Sequence, residues 1–486
     1  MSTVELLLSV VGVVTFVYFA CLTPLSLFFT VVAWRAVIRS MHAQPHAAMD
    51  DAFASPLTPG ISVLVPAYNE EAGIVEGVRS LVAVRYPRFE VIVVNDGSTD
   101  ATLARLREEF DLVPAHRTLR GKLASKPVRG VYRSRRSRDL YVIDKQNGGK
   151  SDALNAGVDA AHYPYVCAVD ADSVIEGDAL LRVAKPILDD PHRVVATGGT
   201  VRIANGCRID HGRVVTQGLS KNRLVVLQVI EYFRIFLVGR VGWSVLKSLL
   251  IISGAFGLFR RSLIEEVGGY STETVGEDME LILRLHRHLH ERDQEYRIEF
   301  VAEPVCWTEA PEDLRSLARQ RRRWQRGLGE SLWRHRRLIG NRRYGSLGFV
   351  ALPFFVVFEF LGPAIEVAGP FVMIAWYLAG GLSLEYMIAF FVLSLLLGVL
   401  LSVAALVLDE FSFRRYKRGR DVGRLVAYAV FETFGYRQLV AFWRTLAYLD
   451  LARGKKGWGR QRRHGIGDTG PATDGERHSA AIQGVL

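Results

Sequence analysis

Apolar and polar positions divide the chain into distinct stretches. No charged residue occurs from Leu6 to Trp34, a run longer than the ~20 residues needed to span bilayer hydrocarbon. A signal peptide would carry a basic start, a shorter apolar core and a small-residue cleavage site. Here the chain starts Met-Ser-Thr-Val-Glu, and Arg35 and Arg39 follow the run. A retained anchor with its C-terminal end in the cytoplasm is expected. A second apolar block, Gly348 to Leu384, is interrupted by Glu359 and Glu366 and contains Pro353, Pro363 and Pro370. A third, Tyr386 to Leu408, carries no charge and ends at Asp409, followed by Arg414, Arg415, Lys417, Arg418 and Arg420. Two passes after the basic stretch that precedes them bring the chain back to the cytoplasmic side. Val422 to Leu451 is apolar and aromatic but holds Arg424, Glu432, Arg437 and Arg444. It reads as an interfacial or in-plane helix, with a fourth span as the alternative. After Lys455 the chain is Gly-, Arg- and polar-rich, a composition expected to be disordered.

Between these blocks the pattern changes to short β-branched runs bounded by turn residues. Ile61–Val65, Glu90–Val94, Leu140–Ile143 and Tyr165–Val169 read as strands, and Ser151–Ala161 and Asp178–Leu188 as helices that follow them. This alternation predicts an α/β domain, a mostly parallel, Rossmann-like sheet covered by helices on both faces. The apolar run Leu249–Phe259 is short, contains Gly254 and Gly257, and reads as a buried strand rather than a span.

Charge and cysteines narrow the classes. The 486 residues carry a net charge of +11, and much of it lies between Arg315 and Arg343, directly before the second apolar block. That placement suits an anionic membrane surface and the cytoplasmic side; no nucleic-acid partner is expected. Cys21, Cys167, Cys207 and Cys306 include no CxxC pair, so neither a disulfide framework nor a zinc site is indicated. The basic insertion Thr118–Arg138 reads as a solvated loop, with a regulatory or membrane-contact role as the lesser alternative.

In parallel sheets ligands bind beyond the carboxyl ends of the strands. Those positions hold Pro66-Ala67-Tyr68-Asn69-Glu70, Asn95-Asp96-Gly97-Ser98-Thr99-Asp100, Asp144-Lys145-Gln146-Asn147-Gly148-Gly149-Lys150 and Asp170-Ala171-Asp172. Asp for a ribose or base, Gly-Lys for phosphate and Asp-x-Asp for a divalent cation together suit a metal-nucleotide. Each motif alone is weak: NDGSTD is a common turn and cap, and Asp172 could merely cap a helix. Their succession at consecutive strand ends is what carries the reading. Farther on, Gly276-Glu277-Asp278 opens a helical pattern, where carboxylates commonly complement the helix dipole. Gln320, Arg323 and Trp324 fall at i, i+3 and i+4, on one helical face. There an Arg can hold a diphosphate and an indole can stack on a sugar ring. Arg321 and Arg322, between them, are expected to point to the membrane surface. Glu359 and Glu366 read equally as a polar pathway or as carboxylates buried against a neighbouring Arg.

From about Ile61 to Trp333, and into the flanking apolar segments, the chain resembles family-2 glycosyltransferases. Within them it resembles the processive membrane synthases of poly-N-acetylglucosamine, chitin oligosaccharides, hyaluronan and cellulose. The elements that carry the resemblance are Asp96 in its DGS turn, Asp170/Asp172, Glu277/Asp278 and Gln320/Arg323/Trp324, in that order. The resemblance implies a GT-A fold and an inverting transfer from a UDP-sugar. Uridine would lie near Tyr68, Glu70 and Asp96, and diphosphate near Lys150 and Arg323. Mg²⁺ or Mn²⁺ would sit on Asp172 with Asp170 nearby. The Glu277/Asp278 pair would be catalytic, with Asp278 the base, and Trp324 would lie under the acceptor sugar beside Gln320. Ser253-Gly254-Ala255-Phe256-Gly257 resembles the family's acceptor-side wall. One departure is Gly276 before Glu277, where relatives commonly have Thr.

The organisation expected is an anchor over 1–40, a cytoplasmic catalytic domain with interfacial helices over 59–337, membrane and interfacial helices over 345–451, and a basic tail over 455–486. The setting expected is a multi-pass inner or plasma membrane protein. Its partners would be a UDP-sugar, GlcNAc by resemblance, a polysaccharide or glycolipid acceptor, membrane lipids and an accessory secretion or regulatory protein. A processive synthase, a single-addition lipid transferase and a catalytically idle scaffold are the competing functions.

Overall fold

The computed structural model describes residues 3–43, 58–413 and 418–454, with the single positions 53, 55 and 416. The expected tail after Lys455 lies outside the described residues, as do Arg414, Arg415 and Lys417.

A 10-stranded sheet organises the middle of the chain, and β9 (Arg208–Asp210) and β10 (Arg213–Thr216) form a separate two-stranded one. The centre of the larger sheet is β5 (Leu140–Lys145), β2 (Phe89–Asn95), β1 (Ile61–Ala67) and β6 (Tyr165–Val169). These four are mutually parallel. Every residue of β6 is buried, and β2 is buried from its second residue on. Such unbroken apolar strands suit a sheet covered on both faces. β11 (Phe256–Arg260) pairs antiparallel with β6 and with β8 (Val194–Ile203). Beyond β8 lie β12 (Arg297–Thr308), parallel to it, and the short β7 (Ser173–Ile175). The expected α/β fold with a mostly parallel sheet is thus the fold observed.

Two expectations need correction. The Thr118–Arg138 insertion is not simply a solvated loop: Val128–Ser134 forms β4, which pairs with β5 and with β3 (Leu112–Pro114) at the sheet edge. Its first half is tied down as well. Asp159 accepts from the backbone N–H of Gly121 and Lys122, and Asp152 from that of Lys126. Within Leu249–Phe259, only the part from Phe256 is strand; Leu249–Ala255 runs irregularly beside the cavity described below.

Among the described residues two helices are long and apolar enough to cross a membrane, Leu8–His42 within Thr3–Ala43, and Leu384–Phe413. Leu347–Phe360 and Gly362–Leu378 meet the same test together and are bent by 48° at their junction, where Pro363 opens the second helix. The Val422–Leu451 region forms Gly419–Phe431 (13 residues) and Arg437–Ala452 (16 residues). Each is shorter than the ~20 residues of a straight span. Between them Phe434 and Gly435 leave helical geometry. Arg202, at the end of β8, forms a buried ion pair with Asp409 of Leu384–Phe413, which fastens the sheet to that helix.

Candidate active site

The four parallel strands bring their carboxyl ends to one edge, and the loops there brace one another. Asp96, 2% exposed, accepts from Lys145 Nζ at 2.6 Å and from the backbone N–H groups of Gly148 at 3.0 Å and Gly149 at 2.7 Å. Its carboxylate therefore shapes the 145–149 loop. Gly97, at φ +67, passes so close to this loop that a Cβ would meet Asn147 N at 2.9 Å. Asn69, at φ 55, joins the first two loops by accepting from Thr99 N at 2.8 Å. Asn tolerates this left-handed conformation better than most residues.

Lys150 begins the helix Lys150–Ala160. Its Nζ lies 2.6 Å from Asp170 and 3.4 Å from Glu277, and it donates to Gly254 O at 3.2 Å. Gly254 N in turn donates to Asp278 Oδ2 at 3.2 Å, and Met279 N donates to Asp278 Oδ1 at 2.8 Å. Burial works against the Lys150 charge, but Asp170 and Glu277 outweigh it and hold the ammonium above the usual lysine range. Burial pushes the Glu277 carboxyl up to about 7; Lys150 opposes the rise and Asp278 adds to it. Burial also lowers Arg240, whose guanidinium lies 4.0 Å from the Phe236 ring centroid, to about 10.

Glu277 and Asp278 stand at the start of the helix Glu277–Glu291, which crosses the helix Leu314–Arg334 at Gly276 and Gly327. A Cβ on Gly276 would meet the Gly327 backbone at 2.9 Å. The crossing at this distance therefore leaves no room for a side chain at position 276. The crossing brings the carboxylate pair beside Gln320, Arg323 and Trp324. Gln320 is buried, whereas Trp324 is 41% exposed. The expectation for Arg321 is corrected here. Arg321 is fully buried and paired with Glu231 at 2.6 Å, and Arg322 pairs with Asp450 at 2.7 Å. Glu231 of the helix Arg223–Tyr232 holds the Arg321 cation in the interior, whereas Arg322, whose side chain is 33% exposed, is tied to the helix Arg437–Ala452 through Asp450.

One cavity of about 2510 Å³ takes in every sequence-predicted site residue: Tyr68, Glu70, Asp96, Lys150, Asp170, Asp172, Glu277, Asp278, Gln320, Arg323 and Trp324. It continues between the apolar helices, reaching Tyr18, Phe358, Glu359, Glu366 and Ser394. Glu359 pairs with Arg444 at 3.0 Å, as the buried-pair reading expects, and Glu366 accepts from Tyr18 Oη at 3.0 Å. Both also line the cavity.

The residues fit a magnesium- or manganese-type ion better than zinc. Asp170 and Asp172 supply two carboxylates at the end of β6, and Asp170 already faces a cation, the Lys150 ammonium. Among the described residues no group of three or more His, Cys, Asp or Glu side chains could hold a metal. Mg²⁺ bound to a nucleotide needs only one or two protein carboxylates, with water and phosphate completing the shell.

Sequence reasoning missed Glu231, Arg240 and Tyr436, which line the same cavity. Their signal was weak, since each lies in an apolar or amphipathic helix far along the chain from the motifs. Asp152 was missed too; it receives Lys145 and fixes the insertion.

Residues 62–268 match the family model described as "Glycosyl transferase family 2". Over 276 residues the chain is 30% identical to the poly-beta-1,6-N-acetyl-D-glucosamine synthases of Staphylococcus epidermidis and Staphylococcus aureus. The match covers 57% of this chain and 56% of each of those proteins, so the chain spans little more than half the length of the relatives it matches. Among solved structures, the mannosyltransferase PcManGT from Pyrobaculum calidifontis, in complex with GDP-Man and Mn2+, aligns with a TM-score of 0.47 at 16% identity. That alignment covers 90% of this chain and 100% of the other.

Proposed function

Since this chain carries a glycosyl transferase family 2 domain, we propose that it is a membrane-embedded inverting glycosyltransferase that extends a β-linked polysaccharide from a UDP-sugar. The observation that carries the reading is the single cavity. It holds the motif residues at the sheet edge and continues without a break among the apolar helices. A polymer made at the upper end would have a path away from the site. The names of the 30% identical relatives support GlcNAc as the donor sugar.

In this reading Tyr68, Glu70 and Asp96 form the uridine end of the pocket, with Asp96 acting mainly through the loop it shapes. An acceptor hydroxyl attacks the anomeric carbon from the side opposite UDP. The new C–O bond forms as the bond to the diphosphate oxygen breaks. The hydroxyl proton passes to Asp278, and UDP departs with the bonding electrons. General-base help of this kind contributes ~10²–10⁴-fold. Glu277, beside Asp278, holds Lys150 in place. Arg323 and Lys150 face the charge growing on the diphosphate. Mg²⁺ or Mn²⁺ on Asp172, with Asp170 nearby, would neutralise part of that same charge. Trp324 supports the acceptor ring, and Gln320 lies beside it. One displacement inverts the anomeric centre, so an α-linked donor yields a β-linkage.

The catalytic domain is assigned to the cytoplasm on the support of the basic residues flanking the spans. An accessory secretion or regulatory protein and contacts with membrane lipids belong to the same proposal. A second reading, addition of one sugar to a lipid, is favoured by one feature: apolar residues such as Phe19, Leu22 and Phe390 wall the lower cavity. The purified protein in detergent, supplied with a panel of UDP-sugars and followed by product sizing, tests both. Polymer from UDP-GlcNAc is expected. A single-sugar lipid product would transfer the assignment to the second reading, and no transfer from any UDP-sugar would sink both.

A further inference from the structure

We propose that Arg321 is a positioning residue for the Trp324 indole, and that Glu231 and Tyr436 make it answer to the break in the C-terminal helices. The inference rests on the reading of Trp324 as acceptor platform. Arg321 is 1% exposed, and its charge is met from two directions. Nη2 lies 2.6 Å from Glu231 Oε2, and Nη1 donates to Gln320 Oε1 at 2.9 Å. Its guanidinium carbon lies 4.3 Å from the Trp324 ring centroid. A planar cation fixed by two hydrogen bonds and laid over an indole restricts the ring's rotation. Trp324 lines the cavity and is 41% exposed, so with Arg321 on one face the other is left for a ligand.

The anchor of this arrangement comes from elsewhere in the chain. Tyr436 Oη donates at 2.6 Å to Glu231 Oε2, the same oxygen that receives Arg321. Tyr436 directly follows Phe434 (φ −101, ψ 106) and Gly435 (φ 86, ψ −48), where the backbone leaves the helix. The break turns Tyr436 inward, beside the Leu314–Arg334 helix: it packs with Leu317 and Val440. Glu231 comes from a third helix, Arg223–Tyr232. A displacement of the helix break before Tyr436 therefore changes the partners of Glu231, then the seat of Arg321, then the tilt of the indole. Through this chain of contacts the break at Phe434 and Gly435 bears on the platform.

Removing the Arg321 charge outright would strand Glu231 in the interior and could unfold the region, so milder variants carry the test. The full chain in detergent is given the UDP-sugar it uses and a short β-linked oligosaccharide. Tyr436→Phe deletes only a hydroxyl, and Arg321→Lys keeps the charge while losing the planar fork. Both are expected to shorten the product and to raise the oligosaccharide KM by about threefold to thirtyfold, the span from an exposed to a desolvated cation–π contact. Donor KM and hydrolysis of UDP-sugar by water should stay within about twofold. The double variant should be no worse than Arg321→Lys alone, because both changes act through one contact chain. Wild-type product length in both single variants would overturn the inference, as would a parallel rise in donor KM or full additivity. Trp324→Ala, measured alongside, separates the two levels. If it elongates normally, the platform reading falls and the inference with it. If only Trp324→Ala is impaired, the platform stands and the inference alone fails.

Discussion

Gly276 and Gly327 meet backbone to backbone: a Cβ placed on Gly327 would lie 2.8 Å from Gly276 Cα. This contact holds the start of the Glu277–Glu291 helix against the helix that carries Gln320, Arg323 and Trp324. Gly327→Ala should force the helices apart by a fraction of an ångström or more, at a cost of about 1–3 kcal/mol of overpacking. Misplacing reacting groups by 1 Å can cost ~10²-fold, so turnover should fall at least about tenfold while UDP binding is largely kept. Gly423→Ala is the control, since a Cβ there meets open space. Equal turnover in the two variants would show that this crossing does not set the site geometry.

Asp278 accepts from the backbone N–H groups of Gly254 and Met279, which aims the carboxylate without neutralising it by an ion pair. Asp278→Asn keeps the shape and loses the proton acceptor. Turnover should fall roughly 10²-fold or more, with donor affinity little changed in a parallel binding measurement. Near-wild-type turnover would place the base elsewhere.

Asp172→Ala should weaken metal-dependent UDP binding, and EDTA should abolish activity that Mg²⁺ or Mn²⁺ restores. Calorimetric titration of UDP with and without the ion reads the effect apart from turnover. Full activity in EDTA would remove the ion from the proposal.

Glu277 is 3% exposed, and its carboxyl is raised to about 7 from the ordinary 4.5. A carboxyl raised on folding destabilises once it must ionise: the effect is absent below pH 4.5 and complete above pH 7. The upward shift corresponds to a few kcal/mol, about 3, at pH 8. Glu277→Gln, which resembles the protonated form, should therefore unfold at higher temperature than the wild type at pH 8, with the difference shrinking as pH falls toward 5. Thermal unfolding in detergent at several pH values checks this. A difference independent of pH would mean that Glu277 does not titrate in this window.

The cytoplasmic assignment predicts that a cysteine at Ser125, an exposed position in the basic insertion, resists an impermeant thiol reagent in intact cells. The background should lack Cys21 and Cys207, which are not fully buried. Labelling before lysis would reverse the proposed orientation.

The sequence by itself determined the parallel centre of the sheet and the residues gathered at its carboxyl edge. Strand runs such as Tyr165–Val169 are local and strongly apolar. Once strands are parallel, the loops after them must share one edge, whatever the remainder of the chain does. That is why Asp96, Lys150, Asp170 and Asp172 could be grouped from spacing alone. Tertiary structure alone decided the environment of charges whose partners are far along the chain. Arg321, Arg322 and Arg323 look alike in sequence, and helical spacing separates Arg323 from Arg321 without saying which side is buried. Arg321 is interior because Glu231 and Tyr436, on helices 90 and 115 positions away, close over it. The basic insertion misled for the same reason. Its composition suggests solvation, but β5 offers an open edge to pair with, and Asp152 and Asp159 offer oxygens to its backbone. Local pattern reports what a segment can bury or expose; which charge is matched, and by what, depends on contacts that only the folded chain makes.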